Sequence, residues 1–164
     1  MEKKSIIITL HISELLYDVS NKTWLTGRSR DIGENFKEVA YMQATEDDEG
    51  KRQILRSFGN ALSYIRSLLS EYIDVGCCST GTNILMDEDD VEIALNMPSN
   101  FNEAATSAIA TAMHQYLANT AIGDWFLITN KADAAEYVTQ AATNITEIKE
   151  AIYQRVRPTR PINR

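Results

Sequence analysis

The stretch IGDWFLITNKADAAEYV, residues 122–138, sets a glycine, an acid and two adjacent large aromatics ahead of a helix that opens near Thr129 or Asn130, with Asp133 in its first turn. Two architectures fit it. In one it is an active-site elbow with Asp124 as a working carboxylate; in the other it is a corner that locks two helices together. The residue types favour the corner. Gly123 can take a positive φ and break the preceding helix, and Trp125 and Phe126 then bury a large area between the last two helices. Asp124 reads as a capping or turn acid, and Gly123, Asp124, Trp125 and Phe126 together as a structural joint.

Working outward, SNFNEAATSAIATAMHQYLANT (99–120) carries Asn100 and Glu103 at capping-box spacing, and Ala105, Ile109, Ala112, Met113, Tyr116 and Leu117 fall on one helical face. On the other side of the joint, Val138, Ala142, Ile145, Ile148, Ile152 and Val156 form a stripe that Pro158 terminates. Further upstream, residues 48–73 give the clearest amphipathic helix, with Ile54, Leu55, Phe58, Leu62, Ile65, Leu68, Leu69 and Tyr72 on one face and Asp47, Asp48 and Glu49 at the positive end of the helix dipole. Phe36, Val39 and Ala40 predict a modest helix. SNKTWLTGRSRDIGEN (20–35) is polar, carries two glycines and reads as a loop burying at most Trp24 and Leu25. SIIITLHI (5–12) predicts a short strand, running into the helical spacing of Ile12, Leu15, Leu16 and Val19. NILM (83–86) and the alternating DVEIALNMP (90–98) predict a second strand pair, a β-hairpin at about 83–97 around the acidic turn Asp87–Asp90. The expected fold is therefore mainly α: a helical bundle of four to five helices with a small β-hairpin insertion and an extended C-terminal arm. It divides into one helical domain, 1–157, and an extended basic tail, 158–164.

At 164 residues, 44% of them hydrophobic, the chain can bury its own core. A net charge of −7 argues against a general nucleic-acid binder. No apolar run approaches the roughly 20 residues that span a bilayer, and the charged start is followed by too short an apolar run, with no cleavage site, for a signal peptide. The expectation is a soluble protein that folds in a cytoplasm, with no membrane contact. The neighbouring Cys77 and Cys78 read as reduced, small, semi-buried side chains.

Chemistry needs a nucleophile, a base and an orienting group that converge. No nucleotide-loop, zincin or hydrolase-elbow pattern occurs, and the acidic runs lack the alternating ligands of an EF-hand. The two histidines, His11 and His114, lie in different elements. His114 sits beside an apolar face and reads as structural; its catalytic alternative pairs it with Asp124 or Asp133. No catalytic residue, metal ligand, cofactor or small-molecule substrate is assigned. The distinctive signal is the tail. Arg155, Arg157, Arg160 and Arg164 are interleaved with Pro158 and Pro161 and no acid, which makes an extended segment with forked donors for a partner's carboxylates or phosphates.

NKTWLTGRSR, MPSNFNEAATSAIATAMHQYLANTAIGDWF and NKADAAEYVTQAATNITEIKEAIYQRVRP together resemble small helical proteins encoded among the virion structural genes of phages and prophages of gut Bacteroidetes-type bacteria, over about residues 10–158. In layout the chain is also similar to head–tail connector or adaptor proteins. The resemblance implies non-enzymatic assembly as a homo-oligomer or ring, contacts with portal or tail proteins, and a place in the virion after assembly in the host cytoplasm. If such a ring encloses a DNA channel, its negative charge lets DNA pass without sticking. A small acidic regulatory or immunity-type binding protein is the alternative, followed by an enzyme built on His114 or a redox protein built on Cys77 and Cys78.

Overall fold

Two long helices lie antiparallel with a single residue, Asn130, between them: α4 (Thr106–Thr129) and α5 (Lys131–Ile152). The computed structural model describes residues 3–74 and 85–159. Within them the order is β1 (Lys4–Leu10), α1 (Ile12–Ser29), α2 (Phe36–Met42), α3 (Asp48–Leu68), β2 (Val91–Met97), a 3₁₀ turn (Glu103–Ala105), then α4 and α5. The mainly α class, with five helices and one two-stranded antiparallel sheet among the described residues, matches the sequence reading. No described helix is long and apolar enough to cross a membrane.

The sheet differs from the expected hairpin. Val91–Met97 pairs with the N-terminal strand, in register from Lys4 opposite Met97 to Leu10 opposite Val91. Leu85 and Met86 take no strand conformation, and Asn83 and Ile84 lie outside the described residues. The physical reason is burial. Ile8 and Leu10 alternate inward on β1 as Ile93, Leu95 and Met97 do on β2, so pairing these two strands makes one continuous apolar face over the helices. On its other edge β2 receives the chain leaving α3, where Asn96 N donates to the Tyr72 carbonyl at 2.7 Å.

α1 runs through the first ten residues of the stretch 20–35 expected to be a loop, and only 30–35 stay outside a helix. Val19, Thr23 and Gly27 recur every four residues on its buried side. The Thr23 hydroxyl is satisfied by the Val19 carbonyl at 2.8 Å and by the Ala44 N–H at 3.1 Å. A Cβ on Gly27 would lie 3.0 Å from the Val39 carbonyl, so the glycine lets α2 close against α1. Trp24 and Leu25, expected to be buried, are 43% and 49% exposed. α2 likewise buries Met42 and leaves Phe36 and Ala40 outside.

α3 begins where the acidic run was read to start it, with the Asp47 carboxylate accepting from Gly50 N at 2.7 Å, and buries Ile54, Leu55, Phe58, Leu62 and Ile65 as predicted. At the far end of the chain the predicted cap shifts. Asn102, not Asn100, accepts from Ala104 N at 3.1 Å and opens the 3₁₀ turn. The stripe of α5 holds in part: Ile148 and Ile152 are buried and Ile145 packs against the core, joined by Ala134, Ala141, Asn144 and Ala151, while Val138, Ala142 and Val156 are exposed. Small residues face inward because the two helices cross closely.

The helices come close at Gly123, which is helical and buried and does not break α4. A Cβ there would meet Val138 Cγ2 at 3.3 Å and Tyr137 Cβ at 3.7 Å. Gly123→Ala should be close to neutral, because the gain in helix propensity of about 1 kcal/mol offsets a contact with a side-chain tip that can shift. Gly123→Leu should wedge the hairpin apart and cost about 1–3 kcal/mol. Urea unfolding of both variants checks the pair.

Candidate functional site

Gly123, Asp124, Trp125 and Phe126, expected from the sequence to form a joint, lie within the last two turns of α4, near the closed end of the α4–α5 hairpin. Gly123 and Asp124 lie inside α4, so Asp124 neither caps a helix nor occupies a turn. The chain turns seven residues past Gly123, at Asn130, with φ −150° and ψ 78°. Phe126 is fully buried and meets Tyr137 of α5 edge-on at 5.5 Å. Trp125 points the other way. Its indole N–H donates to the Met42 carbonyl at 2.9 Å, at the end of α2, and its ring passes over Gly50 at the start of α3.

Asp133 completes this end. It takes the Arg30 guanidinium on both oxygens, at 2.6 and 3.3 Å, and accepts from Asn130 Nδ2 at 2.6 Å, tying the end of α1 to the start of α5. Burial alone would raise its carboxyl, but the hydrogen bonds from Arg30 and Asn130 and the Arg30 charge outweigh burial and hold it below the ordinary 3.8. The Arg30 guanidinium is raised in turn by the hydrogen bond to, and the charge of, Asp133.

The structure does not bring His114 to Asp124 or Asp133. Its Nε2 lies 2.6 Å from Asp18 Oδ2, pairing α4 with α1. The pair borders a cavity of about 370 Å³ together with Thr9, His11, Lys22 and Gln115. His11 in turn meets Asp90 at 2.9 Å, in the acidic turn whose Glu88 pairs with Lys51 at 2.6 Å. No group of three or more His, Cys, Asp or Glu side chains is placed to hold a metal among the described residues. Sequence reasoning missed Asp18 because it lies 96 residues from His114 and nothing local marks the pair.

At the open end of the hairpin the arm has a fixed root. Phe101 bridges to Arg155, Val156 N donates to the Asn100 carbonyl at 2.8 Å, and Asn102 N to the Gln154 carbonyl at 3.2 Å. Arg155 is spent on this root. It donates to the Ile152 and Gln154 carbonyls at 2.7 and 3.1 Å and lies over the Tyr153 ring at 6.0 Å. It therefore differs from the free partner-binding residue expected from the sequence. Arg157 is exposed; Arg160 and Arg164, like Cys77 and Cys78, lie outside the described residues.

A second surface, on the outside of the closed end, was not signalled in the sequence as a site. Trp24 and Arg28 of α1, Asp31, Phe36 and Val39 of α2, and Glu46 line a groove of about 390 Å³. Arg28 stacks on Trp24 with its guanidinium carbon 5.2 Å from the ring centroid. Phe36 is 62% exposed, and Ile32 and Tyr41 on the same segment are 77% and 73% exposed. The chain matches no family model, no curated protein and no solved structure.

Because the folded-state pKa of Asp133 is depressed, its contribution to stability is full above the ordinary carboxyl value of 3.8 and is lost as pH falls through the lower native value. Asp133→Asn should therefore unfold at a lower temperature than the parent at pH 7. The gap should narrow steadily as both are titrated to about pH 2 in thermal melts.

Proposed function

We propose that this protein is a non-enzymatic assembly subunit of a phage particle, a head–tail connector or adaptor of the neck or tail, which acts through its C-terminal arm. The observation that carries the reading is the arm's construction. Residues 154–156 are bound by backbone hydrogen bonds to residues 100–102, and from Arg157 the chain leaves the body exposed, with a further Arg–Pro pair in its sequence. A segment of this kind gains little from its own fold and presents forked donors at a fixed departure point.

The resemblance of three segments to virion structural proteins supports the phage setting, with portal or tail proteins as partners and the virion as location. The −7 charge suits a subunit that stays dispersed until it meets its partner, and would let DNA pass a ring lumen. That His114 is engaged by Asp18 and Asp133 by Arg30 favours this reading over an enzyme built on His114 with Asp133.

Light scattering of the intact chain and of a version ended after Val156, across protein and salt concentration, tests the reading. The intact chain should assemble and the shortened one stay monomeric, with assembly weakening as salt screens the arginines. Equal masses for the two at every concentration would remove the arm from the assembly and favour a small acidic binding protein.

A further inference from the structure

We propose that the groove between α1 and α2 receives the Arg157–Pro161 segment of a second copy of this chain, so that subunits join head to tail. The inference rests on arm-mediated assembly and names the surface that takes the arm. Its first support is chemical match. Prolines in extended segments dock against exposed aromatic rings, and this groove offers Trp24 and Phe36 at 43% and 62% exposure. Its lining carries two carboxylates, Asp31 and Glu46, against one guanidinium, Arg28, which already stacks on Trp24. Asp31 uses one oxygen to hold Gly33 N at 2.8 Å, which leaves the other for an arginine. Exposed aromatics clustered around a concave surface are a feature of interaction sites.

The second support is reach. The arm's root lies at the open end of the α4–α5 hairpin, beside residues 100–102, whereas the groove lies at the closed end, where Arg30 meets Asp133 in the first turn of α5. Between them runs α5, whose 22 residues extend about 33 Å at ~1.5 Å each. Even at the fully extended limit of ~3.6 Å per residue, a five-residue segment reaches only about 18 Å. The segment cannot fill its own subunit's groove, and a second copy can offer one. Because donor and receiver are different surfaces at opposite ends, the contact repeats from copy to copy and gives rings or filaments.

The test uses full-length chains with complementary defects. Trp24→Ala/Phe36→Ala disables the groove, and Arg157→Glu/Arg160→Glu disables the arm. Each alone should stay monomeric, by sedimentation velocity, at concentrations where the parent associates. Mixed one to one, they should form a dimer and nothing larger, because the pair retains one working arm and one working groove. Glu46→Arg, on an exposed side chain, leaves the ring surface untouched and should weaken association about two- to fivefold at low salt. Three results would overturn the proposal. A groove variant that assembles like the parent, while loss of the arm still yields monomers, would sink the groove and leave the arm reading standing. A mixture that stays monomeric would exclude the head-to-tail contact. A parent chain still monomeric at about 1 mM, the weak end of specific affinity, would overturn both.

Discussion

The indole N–H of Trp125, donated to the Met42 carbonyl across 2.9 Å, is the contact on which the arrangement of the other helices depends. An isolated pair of helices as close as α4 and α5 needs small residues between them, and small residues bury too little area to hold a domain together. Trp125 meets that deficit from the outer side of the pair. It reaches the end of α2, passes over the start of α3 and so pins the acidic bend 43–47 to the hairpin. The constraint is tight: a Cβ on Gly50 would stand 2.5 Å from the Ala44 carbonyl and 3.3 Å from the Trp125 ring. Only a glycine fits beneath the indole at that approach.

The polar centre of the hairpin serves a different purpose. Asn119 donates to Asn144 at 2.9 Å inside the α4–α5 interface, and Asn144 donates to Glu147 at 2.9 Å. Asn119 Oδ1 is buried and has no hydrogen-bond partner among the described residues. An apolar pair there would bury more favourable surface. What the asparagines supply is register, since sliding α5 by one turn would part Asn119 from Asn144 and leave the buried Asn119 amide without this partner. The alanines and Gly123 let the helices approach, and the amides specify where along their length they do so.

This division explains what was legible in the sequence. Elements with large apolar side chains at regular spacing, such as α3 and β2, could be read directly, because burial of those side chains is what forms them. The aromatics at 125 and 126 were legible as packing residues, yet Gly123 was misread as a break in a helix that continues to Thr129. A glycine that admits a neighbouring helix and one that takes a positive φ look alike until the neighbour is known. The extension of α1 through residues 20–29 was hidden for a related reason: Thr23 and Gly27 form its inner face by being small and satisfied, not by being apolar. Pairing between distant segments, β1 with β2 and Asp18 with His114, leaves no local trace, because its partner lies 80 to 100 residues away. The groove at Trp24 and Phe36 went unread because exposure of an aromatic is a property of the packed molecule.

The two ends of the hairpin also carry opposite mechanical demands, and this bears on how an assembly of such subunits would behave. The closed end is held by side chains: the Trp125 indole, the Asp133–Arg30 pair and the edge-on rings of Phe126 and Tyr137. Side-chain contacts of this kind resist small displacements of α1 and α2, so a groove formed between those helices keeps its shape when loaded. The open end is held by backbone hydrogen bonds from residues 154–156 to residues 100–102, a short antiparallel pairing that fixes the direction in which the chain departs. A strap anchored by its backbone transmits tension along the chain without repacking the core. In the proposed head-to-tail arrangement, a pull on the arm passes through Arg155 into α5, travels its length in compact helix and arrives at the end that holds the next subunit's arm. Each subunit would then act as a rigid link, with the angle between groove and arm root setting whether successive links close into a ring.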